Sequence, residues 1–171
     1  VQGERVRKDL HEEGFGICER LGETLGKTVC GVMQGIICRD AEDKIRFGKA
    51  RFCVPGKEME RELKKLHPVK ETVYTPAEDR EIEVEAVCIG ELALIGVKPE
   101  LNCRSAVAIS ACSPFQNTLV CTMVNGASKY MADKKSYDRY TYEAMNSPFG
   151  KGAVELLTKQ SVTLLESIYE S

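Results

Sequence analysis

The chain has 171 residues, 43% of them hydrophobic, enough for one well-buried core and too few for several domains. Its 24 lysines and arginines are interspersed with 26 aspartates and glutamates, with no basic run or basic–aromatic interleaving, which argues against nucleic acid as a partner. No apolar stretch approaches the ~20 residues a membrane-spanning helix needs, and the charged start VQGERVRKDLHEEG lacks the apolar core of a signal peptide, so no transmembrane segment is expected and the chain reads as soluble. Beginning at Val1 among charged residues rather than at a methionine, it also reads as a processed chain or a piece of a longer one.

From Gly14 to Ile37, apolar residues recur at Ile17, Leu21, Leu25, Val29, Val32, Met33 and Ile36, the spacing of an amphipathic helix held for several turns. Gly22 and Gly26, one turn apart, predict tight packing of a neighbour against that helix. In DKIRFGKARFCVP, Ile45 and Phe47 take one parity and Ala50, Phe52 and Val54 the other, so a strand with a bulge at Gly48 is expected. PGKEMERELKKLHP then reads as a short helix with Met59, Leu63 and Leu66 inward, stopped by Pro68. VKETVYTPAEDR is a polar connector, and residues 67–80 are the one linker candidate.

Glu81, Glu83 and Glu85 alternate with Ile82, Val84, Ala86 and Cys88, the period of a half-buried strand. Gly90-Glu91 predicts a hairpin turn into LALIGV, which is apolar throughout and so expected to be buried on both faces until Pro99 ends it. ELNCRSAVAISAC is helix-compatible, and NTLVCTMV reads as another buried strand leading into a tyrosine-rich loop. SYDRYTYEAM reads as a short helix and AVELLTKQSVTLLESIY as an amphipathic one beyond Gly150 and Gly152. This order predicts an α/β fold, a layered single domain with a mixed β-sheet flanked by helices.

The eight cysteines sit mostly among apolar neighbours (TVCGVM, GIICRD, EAVCIG, LVCTMV), and no two stand closer than eight positions, so no CxxC pair exists. They read as buried free thiols in a reducing cytoplasm.

Few residues offer chemistry. Glu100 follows a buried strand, at the end where α/β proteins place working side chains, though a helix-opening glutamate favoured by the macrodipole would occupy the same position. Tyr130 lies in the loop after the next strand, where a phenol can bond an oxyanion, bind a metal or simply pack. Tyr137, Tyr140 and Tyr142 fall on the short helix and read as packing residues. His11 and His67 have no HxxxH or HxH partner and read as surface residues, and no serine has a G-x-S-x-G context. Glycine-rich GFGICERLG follows no strand and lacks the GK[ST] step of a phosphate loop. By themselves these residues make no complete catalytic set.

The succession EIEVEAVCIGELALIGVKPE, NTLVCTMVNGASKY and YTYEAMNSPFGKGAVELL resembles the C-terminal half of the catalytic region of the neutral/alkaline (non-lysosomal) ceramidases and their bacterial relatives, with ERLGETLGKTVCGVMQGI similar to the upstream helix. The resemblance runs from about Gly14 onward and is most specific over residues 81–157. It implies zinc-dependent hydrolysis of a linear amide, N-acyl-sphingosine in that family, at a zinc held by two histidines, a glutamate and a tyrosine. Glu100 matches the glutamate of the family's proline-glycine-glutamate turn, here Lys98-Pro99-Glu100, and Tyr130 matches the tyrosine closing the asparagine-led loop.

Both histidine ligands and the family's catalytic serine belong to an N-terminal half that these residues do not match. The resemblance therefore implies that residues 1–171 are the C-terminal part of a ceramidase-like catalytic domain. Glu100 and Tyr130 would be its metal ligands, it would carry no catalytic residue of its own, and it would bind zinc only together with histidines from the N-terminal half. The isolated chain is expected to be inactive, with the N-terminal half, a lipid or other small amide and a second copy of the chain as its partners. A non-catalytic binding or assembly module that kept the fold is the alternative.

Overall fold

The computed structural model describes residues 2–37, 44–58 and 74–171, with side chains from Glu13 onward. The chain divides into two compact units, residues 1–42 and 43–171. The first is a 34-residue helix, α1 (Gln2–Gly35), longer at its N-terminal end than its apolar spacing predicts. Its stripe is present, with Leu21, Leu25, Val29, Val32 and Met33 exposed. The tight packing expected at Gly22 and Gly26 is not: no atom among the described residues comes within 4 Å of where a Cβ would stand at either. Along it Lys27 pairs with Glu23 one turn away, a contact worth little.

The second unit has the α/β architecture, built on a mixed four-stranded sheet in the order β1-β2-β3-β5. Strand β1 (Ile45–Glu58) runs antiparallel to β2 (Thr75–Ile89), which turns into antiparallel β3 (Leu92–Val97), and β5 (Asn117–Thr122) lies parallel to β3. The β2–β3 hairpin closes through Gly90-Glu91 as expected, with Gly90 at φ 55°, the sign that a two-residue hairpin turn takes there. Between β3 and β5 the chain forms a two-residue strand, β4 (Glu100–Leu101), and helix α2 (Cys103–Cys112). After β5 come β6 (Tyr130–Met131), α3 (Lys134–Asp138), α4 (Tyr142–Asn146) and α5 (Ala153–Tyr169).

Several local expectations change. The Ile45–Val54 pairing with β2 is unbroken, so Gly48 carries no bulge: Ile45 and Phe47 point to the open face while Ala50, Phe52 and Val54 point to the core. Gly48 instead makes room for α5, since a Cβ there would stand 2.7 Å from Ile168 Cδ1. The register shift falls between Val54 and Gly56, where β2 spends extra residues and the Glu78 carbonyl crosses over Gly56, 1.9 Å from where a Cβ would be. Residues 55–58, expected to open a helix, finish β1, and the rest of that helix, with His67, lies outside the described residues. The polar connector is strand from Thr75 onward, paired with the end of β1.

LALIGV is fully buried on one face only, and β5 is a half-exposed edge strand with Leu119 outward. SYDRYTYEAM forms two helices rather than one, broken at Tyr140, whose φ is 52°. The thiols among the described residues are free but, apart from Cys88, exposed: Cys53 and Cys121 lie on outward positions of edge strands, and Cys103 and Cys112 at the ends of α2.

The core sits between the sheet's inner face and α2 and α5. Val54, Val84, Ile95 and Val97 meet Ile109 of α2 and Leu157, Leu164, Leu165 and Ile168, which recur on α5 at helical spacing. Asn102 caps α2 by accepting from the Ser105 N–H at 2.9 Å. A second small cluster joins Ala132, Tyr137 and Ala144 beside Tyr74. Buried Lys57 donates to the Ala144 carbonyl at 2.6 Å and lies 4.4 Å from the Tyr74 ring centre, which fastens α4 to the end of β1. Among the described residues no helix is long and apolar enough to cross a membrane.

Candidate functional site

The C-terminal ends of β3 and β5 lie side by side because the two strands are parallel, and the chain leaving each continues in the same direction. From β3 it passes through Lys98 and fully buried Pro99 into β4, and neither residue has positive φ, so this turn presents Glu100 without a glycine. From β5 it passes through residues 123–129 into β6. There β4 and β6 pair in parallel register, Glu100 opposite Tyr130 and Leu101 opposite Met131, with the Glu100 N–H donating to the Lys129 carbonyl at 2.8 Å. Glu100 thus belongs to a short ladder, and the helix it was one candidate to open starts at Cys103 instead.

The two sequence candidates, 30 residues apart in the chain, share one cavity of about 320 Å³. Both side chains are half-buried. The negative charge of Glu100 is the main cause that pushes the Tyr130 phenol above its ordinary pKa, with burial second. A carboxylate beside a phenol is an arrangement that a cation stabilises, since it would draw both oxygens toward it and favour ionisation of the phenol.

Tyr142 does not pack as expected: it is 65% exposed, lines the same cavity, and its ring stands edge-on to Tyr130 with centroids 5.7 Å apart. Tyr137, by contrast, is the packing residue that the sequence predicts, buried with its hydroxyl donating to the Phe149 carbonyl at 2.5 Å. Tyr140 stacks on Tyr74. Asn146, one turn after Tyr142, and Lys129 complete the polar lining. Tyr142 and Asn146 reach the cavity because the chain breaks at Tyr140, whose φ is positive, and restarts as α4 with Thr141 capping it by accepting from the Ala144 N–H at 3.4 Å.

The loop feeding Tyr130 is strained. Met123, Asn125 and Lys129 have φ of 57°, 56° and 57°, a left-handed conformation that costs a residue with a side chain about 1–2 kcal/mol, less for asparagine. Each is held by neighbouring contacts. The Val124 N–H donates to the Val97 carbonyl at 3.1 Å, the Asn125 amide donates to Glu85 at 2.8 Å, and the Lys129 carbonyl accepts from Glu100. Glu85 and Glu83 are in turn paired with Lys49 and Arg51 on the sheet's open face.

Among the described residues no group of three or more histidines, cysteines, aspartates or glutamates could hold a metal ion. Side chains before Glu13, including His11, and residues 59–73, including His67, lie outside the described set.

This fold is ceramidase-like. Its solved counterparts include the neutral ceramidase from Pseudomonas aeruginosa, similar over 65% of this chain and 20% of that one at 17% identity with a TM-score of 0.50. A ceramidase complexed with C2 is similar over 59% of this chain and 18% of the other at 16% identity, again with a TM-score of 0.50. The chain therefore spans about a fifth of the length of those structures, and at this identity the likeness is one of fold. No protein-family model and no curated protein sequence matches it.

Proposed function

We propose that this chain forms one side of a ceramidase-like amidohydrolase centre, in which Glu100 and Tyr130 are two oxygen ligands of a zinc ion. Imidazoles from an N-terminal half of the same protein complete the metal's shell. One observation carries this reading: Glu100 and Tyr130 are register partners in a two-stranded ladder at the C-terminal ends of adjacent parallel strands, where open α/β sheets bind ligands. A carboxylate and a phenol in one cavity suit the metal as donors, but only as half a set.

Zinc bound there supplies Lewis acidity toward an amide carbonyl and lowers the pKa of water. Glu100 offsets positive charge at the site. Tyr130 offers its phenol oxygen, whose pKa the Glu100 charge raises. The Tyr142 ring holds Tyr130 edge-on, and its exposed hydroxyl, with the Asn146 amide, can orient the carbonyl of a linear amide. The substrate class is an N-acyl amide, with N-acyl-sphingosine the one the resemblance implies.

The test uses the protein with its N-terminal half, assayed for release of fatty acid from N-acyl-sphingosine with and without a chelator. Residues 1–171 alone should show negligible turnover. In the complete protein, Glu100→Gln and Tyr130→Phe should each lower kcat/KM by at least about 10²-fold, since losing an outer-shell partner of a ligand already costs about 10–100-fold. Unchanged kcat/KM in both variants sinks the reading. The alternative, a binding module without catalysis, draws on the incomplete donor set among the described residues. A complete protein without buried histidines and without chelator-sensitive hydrolysis would establish it.

A further inference from the structure

The one cation among the described residues that line the cavity beside Glu100 and Tyr130 is Lys129. Among the described residues four non-glycine residues have positive φ, and three of them fall within 123–129. Two of those three, Met123 and Lys129, line this cavity. Strain of this kind persists where the surroundings over-determine it, and it gathers at ligand sites. At Lys129 the determinant is the Glu100 N–H on its carbonyl, so the ladder that aligns Glu100 with Tyr130 also fixes where this lysine leaves the backbone.

Lys129 is exposed and, like Lys98, Lys134, Lys135 and Lys159, is in no ion pair among the described residues; what sets it apart is its place on this cavity, beside the Glu100 carboxylate. Lys49 and Arg51 are paired with Glu83 and Glu85, Arg104 with Asp133, and Lys151 with Asp138. Beyond Glu100, Tyr130 and polar Asn146, the wall comes from Met123, Ala127 and Tyr142, with Met123 and Tyr142 exposed and able to cover a hydrocarbon arm.

We infer that the preferred ligand of this cavity is an amide bearing an anionic group, a carboxylate or a phosphate, which pairs with the Lys129 ammonium while its apolar arm lies along Met123 and Tyr142. A lysine is a point charge that accepts either anion, so the shared chemistry is negative charge next to the amide. The inference deepens the amidohydrolase reading and rests on it for the amide. It departs from the neutral substrate that the resemblance implies.

Binding separates the two. Titration of the complete protein by calorimetry, in chelator so that no metal attracts the anion, would compare N-lauroylglycine, N-lauroyl-phosphoethanolamine and neutral N-lauroylethanolamine. At least one anionic amide should bind about fivefold more tightly than the neutral one, the upper range for a partly exposed ion pair, and the two anionic arms tell carboxylate from phosphate. The difference should shrink as salt rises.

Lys129→Gly should erase the preference while raising the melting temperature, because glycine adopts this φ without a side-chain clash. Lys129→Asn, which also tolerates the conformation, should erase it too. Equal binding of all three amides, no saturable binding, or a preference that survives both substitutions overturns the inference. Loss of metal-dependent hydrolysis with the anionic preference intact overturns the catalytic reading alone, whereas hydrolysis without the preference overturns this one alone.

Discussion

Along the inner face of the sheet, Val54, Val84, Ile95 and Val97 meet Ile109, Leu157 and Leu165 with essentially no solvent access, and no residue there is in a strained conformation. At the C-terminal end of the same sheet, residues 123–131 hold three non-glycine residues at positive φ, a phenol in register with the Glu100 carboxylate and a lysine without an ion pair among the described residues. The first region gains stability from area removed from water. The second holds strain and charge that the ladder and the Asn125–Glu85 contact keep in place. Groups that a ligand could satisfy thus gather at the rim of the hydrophobic core, which reaches this segment at Met131.

The strongest way to break this contrast is to weaken the core and watch the rim. Leu157→Ala, at a fully buried position, should lower unfolding free energy by about 2–5 kcal/mol in a urea melt. If the rim is independent, the anionic-amide preference of the folded fraction stays unchanged; a lost preference would mean that the core, rather than the local contacts, holds the loop.

Tyr137→Phe sits between the regions. It removes the shorter of two donors to the Phe149 carbonyl, the Ser147 hydroxyl remaining at 3.3 Å, and should cost about 0.5–1.5 kcal/mol. A cost near zero would show that this bond contributes nothing net.

Alkaline titration sharpens the contrast from the same cluster. Burial pushes Tyr74 up to about 12 and raises Tyr137 as well. Unfolded phenols ionise around 10.0, so the unfolded chain releases protons first; the stabilisation is complete below that pH and fades as pH rises toward about 12. Thermal melts should fall across that window, and a flat profile there would contradict the burial of the pair.

The smallest expected effect is at the rim. Glu100→Gln and Tyr130→Phe, half-exposed, should each change stability by no more than about 0.5 kcal/mol. A larger loss would make the pair a structural element and weaken its reading as a ligand site.

Much of the fold was legible because it is written in local periodicity. The alternation of Glu81, Glu83 and Glu85 with Ile82, Val84 and Ala86 matches the observed faces of β2, Gly90-Glu91 is the hairpin turn, and the apolar spacing of 153–169 is the buried side of α5. The errors fall where a partner distant in the chain decides. Gly48 was read as a bulge, yet it is small because Ile168 lies against it, and the true irregularity at Gly56 depends on Glu78. Eight cysteines among apolar neighbours looked buried, but a strand has two faces and an edge, and Cys53 and Cys121 fall on the outward ones.

For the candidate site the division is the same. The sequence alone determined that Glu100 and Tyr130 follow strands, because strand-forming runs and the proline that ends one of them act through local backbone geometry. Only the tertiary structure decided that the two strands lie parallel and adjacent, that their ends pair so that a carboxylate faces a phenol, and that Tyr142 and Lys129 join them. Those relations come from pairing between segments far apart in the chain and from a left-handed backbone imposed on Lys129 by its neighbours, neither of which leaves a periodic mark on the residues themselves.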